Sequence, residues 1–271
     1  MGTITTNAIV LRHAPYREND RMLTLFSPTM GRVDVLCRGC RKQRSPLMAC
    51  SELFCAGEYV LYQSRERLGV QSCQVQDSFY PLREDVDRLT HGAMYLELCE
   101  AVVQPGQESE RLFLFLLRTL AHLSYGAASP ERISTVFLMG FLSLTGFRPE
   151  VRGCVRCGAA LPQAGKLAAF SPGAGGLLCT SCAMQEAPHA PRVDARGVAA
   201  LQKIMKSGLE TLKETEDAPP GVLSALLAYA QAHVERQLRS VKLLEALYTA
   251  QPANQDSMEV RQKTEDDSHG D

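Results

Sequence analysis

The stretch AIVLRHAPYRENDRMLTLFSPTMGRVDVLCR, residues 8–38, decides how the first part of the chain folds. It contains three short runs rich in valine, leucine and aromatic residues, separated by turn signals, which is typical of consecutive strands. The turn between the second and third runs ends in Gly31, which can adopt the positive φ of a hairpin loop. Two further runs, EYVLYQS and VQSCQVQD, follow by residue 77. Five short strands predict a small barrel of the OB type over residues 1–80.

The alternation of side chains along the third run assigns its two faces. Successive residues of a strand point to opposite sides of the sheet, so the apolar face of RVDVLCR should point into the barrel. Cys37 falls on that face, and we therefore expect it to be a core residue. The apolar face comprises Val33, Val35 and Cys37, and the polar face comprises Arg32, Asp34 and Arg38.

Beyond residue 80 the apolar residues recur at helical spacing. Residues 81–149 therefore predict the first part of a helical domain, with Ser129 as an N-cap and Pro130 in the first turn of one helix. Residues 150–190 are rich in glycine, proline and cysteine, and predict a small inserted ribbon. Residues 191–250 predict the second part of the helical domain.

The second part is expected to hold two helices. Asp194 is a suitable N-cap for the first, and the second follows Pro219-Pro220 as VLSALLAYAQAHVERQLRSVKLLEALYTA. The remaining residues, 251–271, carry two cations and six anions, which predicts a disordered acidic tail. The fold class is α+β: an OB-type β-barrel followed by an all-α domain with an inserted ribbon.

Composition limits the possible classes of protein. The chain has 271 residues, 45% of them hydrophobic, and a formal net charge of −1, so a nucleic-acid partner must be met by a local basic patch. The N-terminus does not resemble a signal peptide, and there is no run of 18 apolar residues. We expect a cytoplasmic protein associated with the nucleoid. Its ten cysteines are then better explained as thiols or metal ligands than as disulfides.

Four cysteines have the spacing of a metal site. Cys154 and Cys157 form one C-x2-C pair, and a spacer of 21 residues separates them from the pair Cys179 and Cys182. Two residues between thiolates allow one tight turn to present both sulfurs to one ion, and four thiolates complete the closed tetrahedral shell of structural zinc. The pattern predicts one structural Zn²⁺ in the ribbon, with KLAAFSP as one of its strands.

The other interpretations of these cysteines are less favourable. Unligated thiols are the main alternative. A redox dithiol is disfavoured because neither pair is expected to begin a helix after a strand. Zinc catalysis needs an open coordination position with an acid or base, and the H-x-E and Pro-Cys signature of zinc deaminases is not matched. His189 is best explained as a solvated loop residue, so we expect no enzymatic activity.

A second C-x2-C pair, in CRGCRKQRS (residues 37–45), has a different interpretation. A second zinc on Cys37, Cys40, Cys50 and Cys55 is conceivable, but Cys50 and Cys55 are irregularly spaced and Cys37 is expected inside the barrel. Buried free cysteine behaves as a small hydrophobic residue, and this is the better interpretation.

The informative residues of CRGCRKQRS are therefore its cations. Residues 11–44 contain eight Lys or Arg and three acids, an excess of five. Such a run is often only a solvated loop, but on a small barrel it can follow a phosphate backbone. No recognition-helix or finger motif indicates sequence specificity. The candidate DNA-binding residues are Arg12, Arg17, Arg21, Arg32, Arg38, Arg41, Lys42 and Arg44, and an extension over Lys203, Lys206, Arg236, Arg239 and Lys242 is as well explained by ordinary polar helix faces.

These motifs, taken in order, resemble the RecO family of bacterial recombination mediators. The resemblance begins with AIVLRHAPYRENDRMLTLFSPTMGRVDVLCRGCRKQRS, continues through LTGFRPEVRGCVRCG and FSPGAGGLLCTSC, and ends with LRSVKLL, which covers residues 4–248. It implies an N-terminal OB-fold, a helical domain and an inserted zinc ribbon. It also implies binding of single- and double-stranded DNA, strand annealing, and partnership with RecR, with single-strand binding protein and, through them, with RecA loading.

The chain also departs from the family pattern. Family members often have alanine at the positions of Cys37 and Cys40, and some lack the zinc cysteines, so the implied metal is structural. They often carry a charged residue in the helix where this chain has Gly140. If that helix receives the acidic tail of single-strand binding protein, Arg132 or Arg148 must substitute.

The function predicted from the sequence is a non-enzymatic DNA-binding mediator of recombination. The alternative from another class is a zinc-ribbon module that binds proteins and has no direct role on DNA.

Overall fold

The first part of the chain is a closed five-stranded barrel. The computed structural model describes residues 2–64, 67–162, 165–214, 219–234 and 237–250, so the predicted acidic tail at 251–271 lies outside the described residues. The strands of the barrel are β1 (Thr3–Arg17), β2 (Asp20–Ser27), β3 (Gly31–Cys37), β4 (Ala56–Ser64) and β5 (Arg67–Asp77). They run in the order β1-β2-β3-β5-β4, and β1 pairs with both β2 and β4, which closes the barrel. The prediction of an OB-type barrel is confirmed.

The faces of β3 agree with the alternation in the sequence. Val35 and Cys37 are fully buried in the barrel core, whereas Asp34 and Arg38 are exposed. Gly31 begins the strand with φ +66°, as the hairpin requires. The prediction that Cys37 points inward is confirmed.

The β2–β3 hairpin also joins the barrel to the helical part. A Cβ on Gly31 would lie 2.1 Å from the carbonyl oxygen of Gln104, so only glycine permits this close approach. The amides of Gly106 and Ser109 donate to the carbonyls of Met30 and Pro28, each at 2.8 Å. These backbone contacts hold the barrel against the segment that follows the first helix.

Seven α-helices are found among the described residues. Ser129 caps the helix that begins at Pro130, because its side chain accepts from the amide of Arg132, and Asp194 caps the helix that begins at Ala195 by accepting from the amide of Gly197, so both predicted N-caps are confirmed. The helices are α1 (Val86–Val102), α2 (Glu110–Tyr125), α3 (Pro130–Leu144), α4 (Thr180–Glu186), α5 (Ala195–Ser207), α6 (Val222–His233) and α7 (Arg239–Ala250).

The prediction of one helix after Pro219-Pro220 is wrong. The chain leaves helical geometry at Val234, whose φ of −105° and ψ of 119° are extended. A new helix, α7, begins at Arg239, where the carboxylate of Glu97 on α1 accepts from the amides of Arg239 and Ser240 at 3.0 and 2.9 Å. An acidic side chain from a distant helix thus caps the N-terminus of α7, and the local sequence pattern does not reveal this contact.

The four-cysteine ribbon packs on the helical part, and its sheet extends to Val193, beyond the expected boundary at residue 190. Strands β6 (Ala168–Ser171), β7 (Gly176–Leu178) and β8 (Arg192–Val193) form a sheet in the order β7-β6-β8, and α4 follows β7. The rings of Phe170 on β6 and Tyr229 on α6 meet edge-to-face with centroids 4.9 Å apart. The ribbon and the helices therefore share one hydrophobic core. In the described ranges, no helix is both long enough and apolar enough to cross a membrane.

Candidate metal centre and nucleic-acid interface

The four ribbon cysteines meet at one point. The Sγ atoms of Cys154, Cys157, Cys179 and Cys182 all lie within 4.8 Å of one another, and those of Cys157 and Cys179 are 3.8 Å apart. The first pair lies in a tight turn that ends at Gly158, which has φ +73° and donates its amide to the carbonyl of Cys154 at 2.9 Å. This set of sulfurs is the one possible metal-binding group of three or more ligands in the part of the chain that the structure describes.

The sulfur geometry fits a tetrahedral thiolate site. With Zn–S bonds of about 2.3 Å, the edge of an S4 tetrahedron measures about 3.8 Å. The separation of Cys157 and Cys179 equals that edge. The first turn is also tied to the strand before the second pair, because the amide of Val155 donates to the carbonyl of Leu177 at 2.9 Å. The two pairs are thereby held face to face.

The electrostatics of the sulfurs favour a bound cation. Burial raises the pKa of Cys154, but hydrogen bonds from the backbone amides of Cys157, Cys179 and Arg156 outweigh this effect and lower it to about 6. The pKa of Cys182 is raised to about 12, first by its hydrogen bond with the Cys179 thiol and then by burial. Without a cation the four sulfurs cannot all ionise together, whereas coordination to a divalent metal holds all four as thiolates.

One argument from the sequence is wrong. The second pair does begin a helix after a strand, because α4 starts at Thr180, between Cys179 and Cys182, directly after β7. The structural context of the second pair therefore does not disfavour a redox dithiol. What favours a metal is the convergence of both pairs on one point. His189 is exposed and lies outside the group of sulfurs.

The cysteines of the barrel are core residues. Cys37, Cys40, Cys50 and Cys55 are each at most 1% exposed, and within the described residues they form no metal-binding group. The hydrogen bond with the Cys37 thiol is the largest effect on Cys50 and, with burial, raises its pKa to about 12, although a bond with Cys73 opposes the shift. Protonated, buried thiols of this kind are poor metal ligands.

The cations after β3 form an exposed loop, which we call the cation loop (residues 38–44). The amide of Arg41 donates to the carbonyl of Asn19 at 3.1 Å, and the amide of Gly39 donates to Oδ1 of Asp20 at 2.8 Å. The cation loop is thus fixed against the β1–β2 turn. Its exposed side chains, none of which makes an ion pair with a described acid, are Arg38, Arg41, Lys42 and Arg44.

The other four candidate cations divide into two kinds. Arg17 is exposed at the end of β1, next to the turn that holds the cation loop. Arg12 instead pairs with Glu100 on α1 at 2.9 Å, and Arg32 donates to the carbonyl of Glu100 at 3.3 Å. Arg21 pairs with Glu52 at 2.6 Å and is mostly buried. Arg12, Arg21 and Arg32 therefore hold the structure together, and their charge is already partly compensated.

The count of cations over residues 11–44 missed Arg67. This residue begins β5, and its Nη1 donates to the hydroxyl of Tyr16 at 3.0 Å. Fifty-one positions separate the two residues in sequence. Only the closure of the barrel brings Arg67 to the same end as Arg17, so a local charge count cannot detect it.

The two candidate partner-binding cations lie in different places. Arg132 is only 9% exposed, donates to the carbonyl of Thr211, and lies 3.8 Å from Glu214, so it links α3 to the 3-10 helix Gly208–Lys213. Arg148 is exposed and lines a cavity of about 720 Å³ with Arg152 and Lys206.

Gly140 and the cations of the late helices are the remaining positions singled out in the sequence. A Cβ on Gly140 would lie 2.2 Å from the ring of Phe115, so close packing of α2 on α3 explains the glycine. Lys203 pairs with Glu214, and Lys242 donates to Gln237 at 2.8 Å. Arg236 lies outside the described residues.

The fold and its two sites define a class: an α+β protein with an N-terminal OB-type barrel and a four-cysteine centre suited to a metal. The family model described as Recombination protein O N terminal matches residues 1–79, and that described as Recombination protein O C terminal matches residues 83–242. The chain belongs to this family, the DNA repair proteins RecO, and the resemblance seen in the sequence is confirmed.

Curated relatives align with this chain over most of their length. The DNA repair protein RecO of Acetivibrio thermocellus is 31% identical over 238 residues, which cover 88% of this chain and 93% of the relative. That of an Anaeromyxobacter species is 32% identical over 246 residues, with 88% and 93% covered. Family membership assigns the protein a role in DNA repair and recombination.

Proposed function

We propose that the protein is a non-enzymatic recombination mediator that binds single- and double-stranded DNA at the cation-loop end of the barrel and anneals complementary strands. The observation that carries the proposal is the group of exposed cations made by Arg17 and the cation loop. None of these cations forms an ion pair with an acidic side chain in the described residues. They supply local positive charge in a chain whose net charge is −1. DNA as the substrate implies a cytoplasmic location next to the nucleoid.

Annealing on such a surface needs no active-site chemistry. Each cation that neutralises a phosphate releases a condensed counterion, and this release supplies most of the binding free energy. Phosphate contacts carry no base information, so strands of any sequence can be held. With two backbones screened on one surface, their bases remain available to pair.

The partners implied by the family are part of the proposal. We assign to this protein binding of RecR and of single-strand binding protein, and through them assistance in loading RecA onto coated DNA. Of the two cations considered for the acidic tail of single-strand binding protein, Arg148 is exposed and adjoins further cations, whereas Arg132 is mostly buried in contacts with Thr211 and Glu214.

The metal in this proposal is one structural Zn²⁺. Cys154, Cys157, Cys179 and Cys182 would hold it in a closed shell, where it cross-links the two turns of the ribbon and leaves no position open for a substrate. The ribbon would in turn support the helices through the contact of Phe170 with Tyr229.

The experiment that tests the DNA surface is the salt dependence of binding. The triple variant Arg38→Ala, Arg41→Ala, Lys42→Ala should reduce the slope of log affinity against log salt by about 2 for a single strand, since each phosphate contact contributes about 0.7. It should weaken all sequences about equally and slow annealing, while the zinc content stays unchanged.

A matched control removes the same charge elsewhere. Arg111→Ala, Arg118→Ala, Lys166→Ala also deletes two arginines and one lysine, all exposed, from α2 and the ribbon. The control should keep the wild-type slope and annealing rate. If the folded cation-loop variant behaves like this control, the loop does not bind DNA. If the wild type binds no DNA at low salt, the protein-binding ribbon module becomes the better account.

A further inference from the structure

Tyr16 is an exposed aromatic residue at the cation-loop end of the barrel. It lies near the end of β1 and is 41% exposed. By contrast, Tyr59 and Phe26 in the same barrel are fully buried. The packing of the core therefore does not account for a large ring at this position.

Two arginines flank this ring. The guanidinium carbons of Arg17 and Arg67 lie 5.5 and 5.9 Å from its centroid, near the outer limit of a cation–π contact. At these distances neither guanidinium lies flat against the ring. Arg67 is held in place by its hydrogen bond to the Tyr16 hydroxyl.

The same ring adjoins the cation loop. The backbones of Arg17 and Asp20 are opposite each other at the β1–β2 turn, where the Asp20 carboxylate accepts from the amide of Gly39 and the carbonyl of Asn19 accepts from the amide of Arg41. The ring, its two arginines and the cation loop therefore lie at one end of the barrel, where an exposed aromatic face adjoins several cations. A chain that carries flat π-systems at intervals along a line of negative charge is complementary to this surface.

We propose that Tyr16 stacks an unpaired base of a single-stranded nucleic acid, with Arg17 and Arg67 on the neighbouring phosphates. This inference rests on the proposed function, because it requires that DNA cross the cation-loop end of the barrel. It adds a source of strand preference, since a duplex presents phosphates but no unpaired base. Binding to single strands then has a stacking component as well as an electrostatic one.

The absence of tryptophan from the chain makes this contact directly observable. In Tyr16→Trp the introduced indole is the sole tryptophan and reports stacking through its fluorescence. The matched control is Tyr80→Trp: Tyr80 is 59% exposed and has the guanidinium of Arg83 5.9 Å from its ring, but it lies beyond the opposite end of β5 from Arg67.

Titration with oligothymidylate should quench Tyr16→Trp to saturation, and an abasic strand of equal length should not. Tyr80→Trp should respond to neither strand. Equal responses of Tyr16→Trp to the two strands, or of the two variants to oligothymidylate, would overturn the inference. Anisotropy of a labelled oligonucleotide, recorded in the same titration, distinguishes a failure of base stacking from a failure of DNA binding. Binding without specific quenching contradicts the stacking contact alone, whereas no binding contradicts the proposed function as well.

Affinities of two further variants distinguish stacking from a structural role. Tyr16→Ala should weaken oligothymidylate binding at least about fivefold, the effect expected for one lost base–aromatic stack. It should leave abasic-strand and duplex affinity unchanged, and the salt slope unchanged, because no charge is removed. Tyr16→Phe keeps the ring but loses the bond to Arg67, and should retain most of the affinity. Equal weakening of all three ligands by Tyr16→Ala would show that the ring only supports the fold.

Discussion

Two C-x2-C pairs in this chain have the same spacing but different surroundings. Cys37 ends a barrel strand and Cys40 lies in the loop after it, and both are buried in the barrel core. Cys154 and Cys157 occupy a turn closed by Gly158, backbone amides donate to the Cys154 sulfur, and the second pair faces this turn from the start of α4. The spacing of two cysteines therefore indicates a metal site only when a second pair converges on it.

The two environments shift the pKa values of their thiols in opposite directions. In the ribbon, backbone amides lower the pKa of Cys154 to about 6, which favours the thiolate that a metal requires. In the barrel, a thiol–thiol hydrogen bond and burial raise the pKa of Cys50 to about 12, which favours the neutral thiol. The ribbon sulfurs are thus prepared to bind a cation, and the barrel sulfurs are prepared to remain in an apolar core.

Removal of one ribbon ligand should have the largest effect. Cys179→Ser should lose the metal, because three thiolates no longer close the shell, and apparent metal-coupled folding energies in zinc peptides are on the order of 10 kcal/mol. Limited proteolysis should then cut between residues 150 and 190. The control Cys73→Ala, in the barrel, should keep both its metal and the wild-type pattern of fragments. A metal-replete Cys179→Ser protein would contradict the assignment.

The second-largest effect should be a difference in thiol reactivity between the ribbon and the barrel. After the metal is removed with a chelator at pH 7.5, Cys154 should react with an alkylating reagent at least about ten times faster than Cys50, because the thiolate is the nucleophile and its lower basicity offsets only part of that advantage. The sign follows from the pKa values: pH 7.5 lies above about 6 and far below about 12. Peptide mapping by mass spectrometry measures both rates, and equal rates would show that the environments do not differ as described.

Substitution of the two barrel cysteines Cys37 and Cys40 should have the smallest effect on the protein. Cys37→Ala, Cys40→Ala should leave the metal content unchanged and lower the free energy of unfolding by about 1 kcal/mol per lost sulfur, the cost of a small core truncation. Urea denaturation and elemental analysis of the same sample provide both numbers. A fall in metal stoichiometry would restore the hypothesis of a second site in the barrel.

The sequence predicted those elements whose signals are local. The strands of the barrel, the inward position of Cys37 and the caps Ser129 and Asp194 depend on alternation or on neighbouring residues, and all were predictable. The break between α6 and α7 was not, because Glu97 provides the cap of α7 from more than a hundred positions away.

The candidate sites show the same division. The four ribbon ligands were predictable from spacing, since each pair is local and the set is closed. The cation surface was predictable only in part, because Arg12 and Arg21 find acids on α1 and near the start of β4, whereas Arg67 reaches Tyr16 only when the barrel closes. The density of cations in a sequence does not show which of them form ion pairs within the folded protein.

The most direct test of the central claim is the metal content of the wild-type chain. Protein purified without chelator should contain one zinc per chain by elemental analysis, held by the ribbon, with none in the barrel. A value of zero would contradict the structural zinc, and a value of two would contradict the assignment of the barrel cysteines to the core.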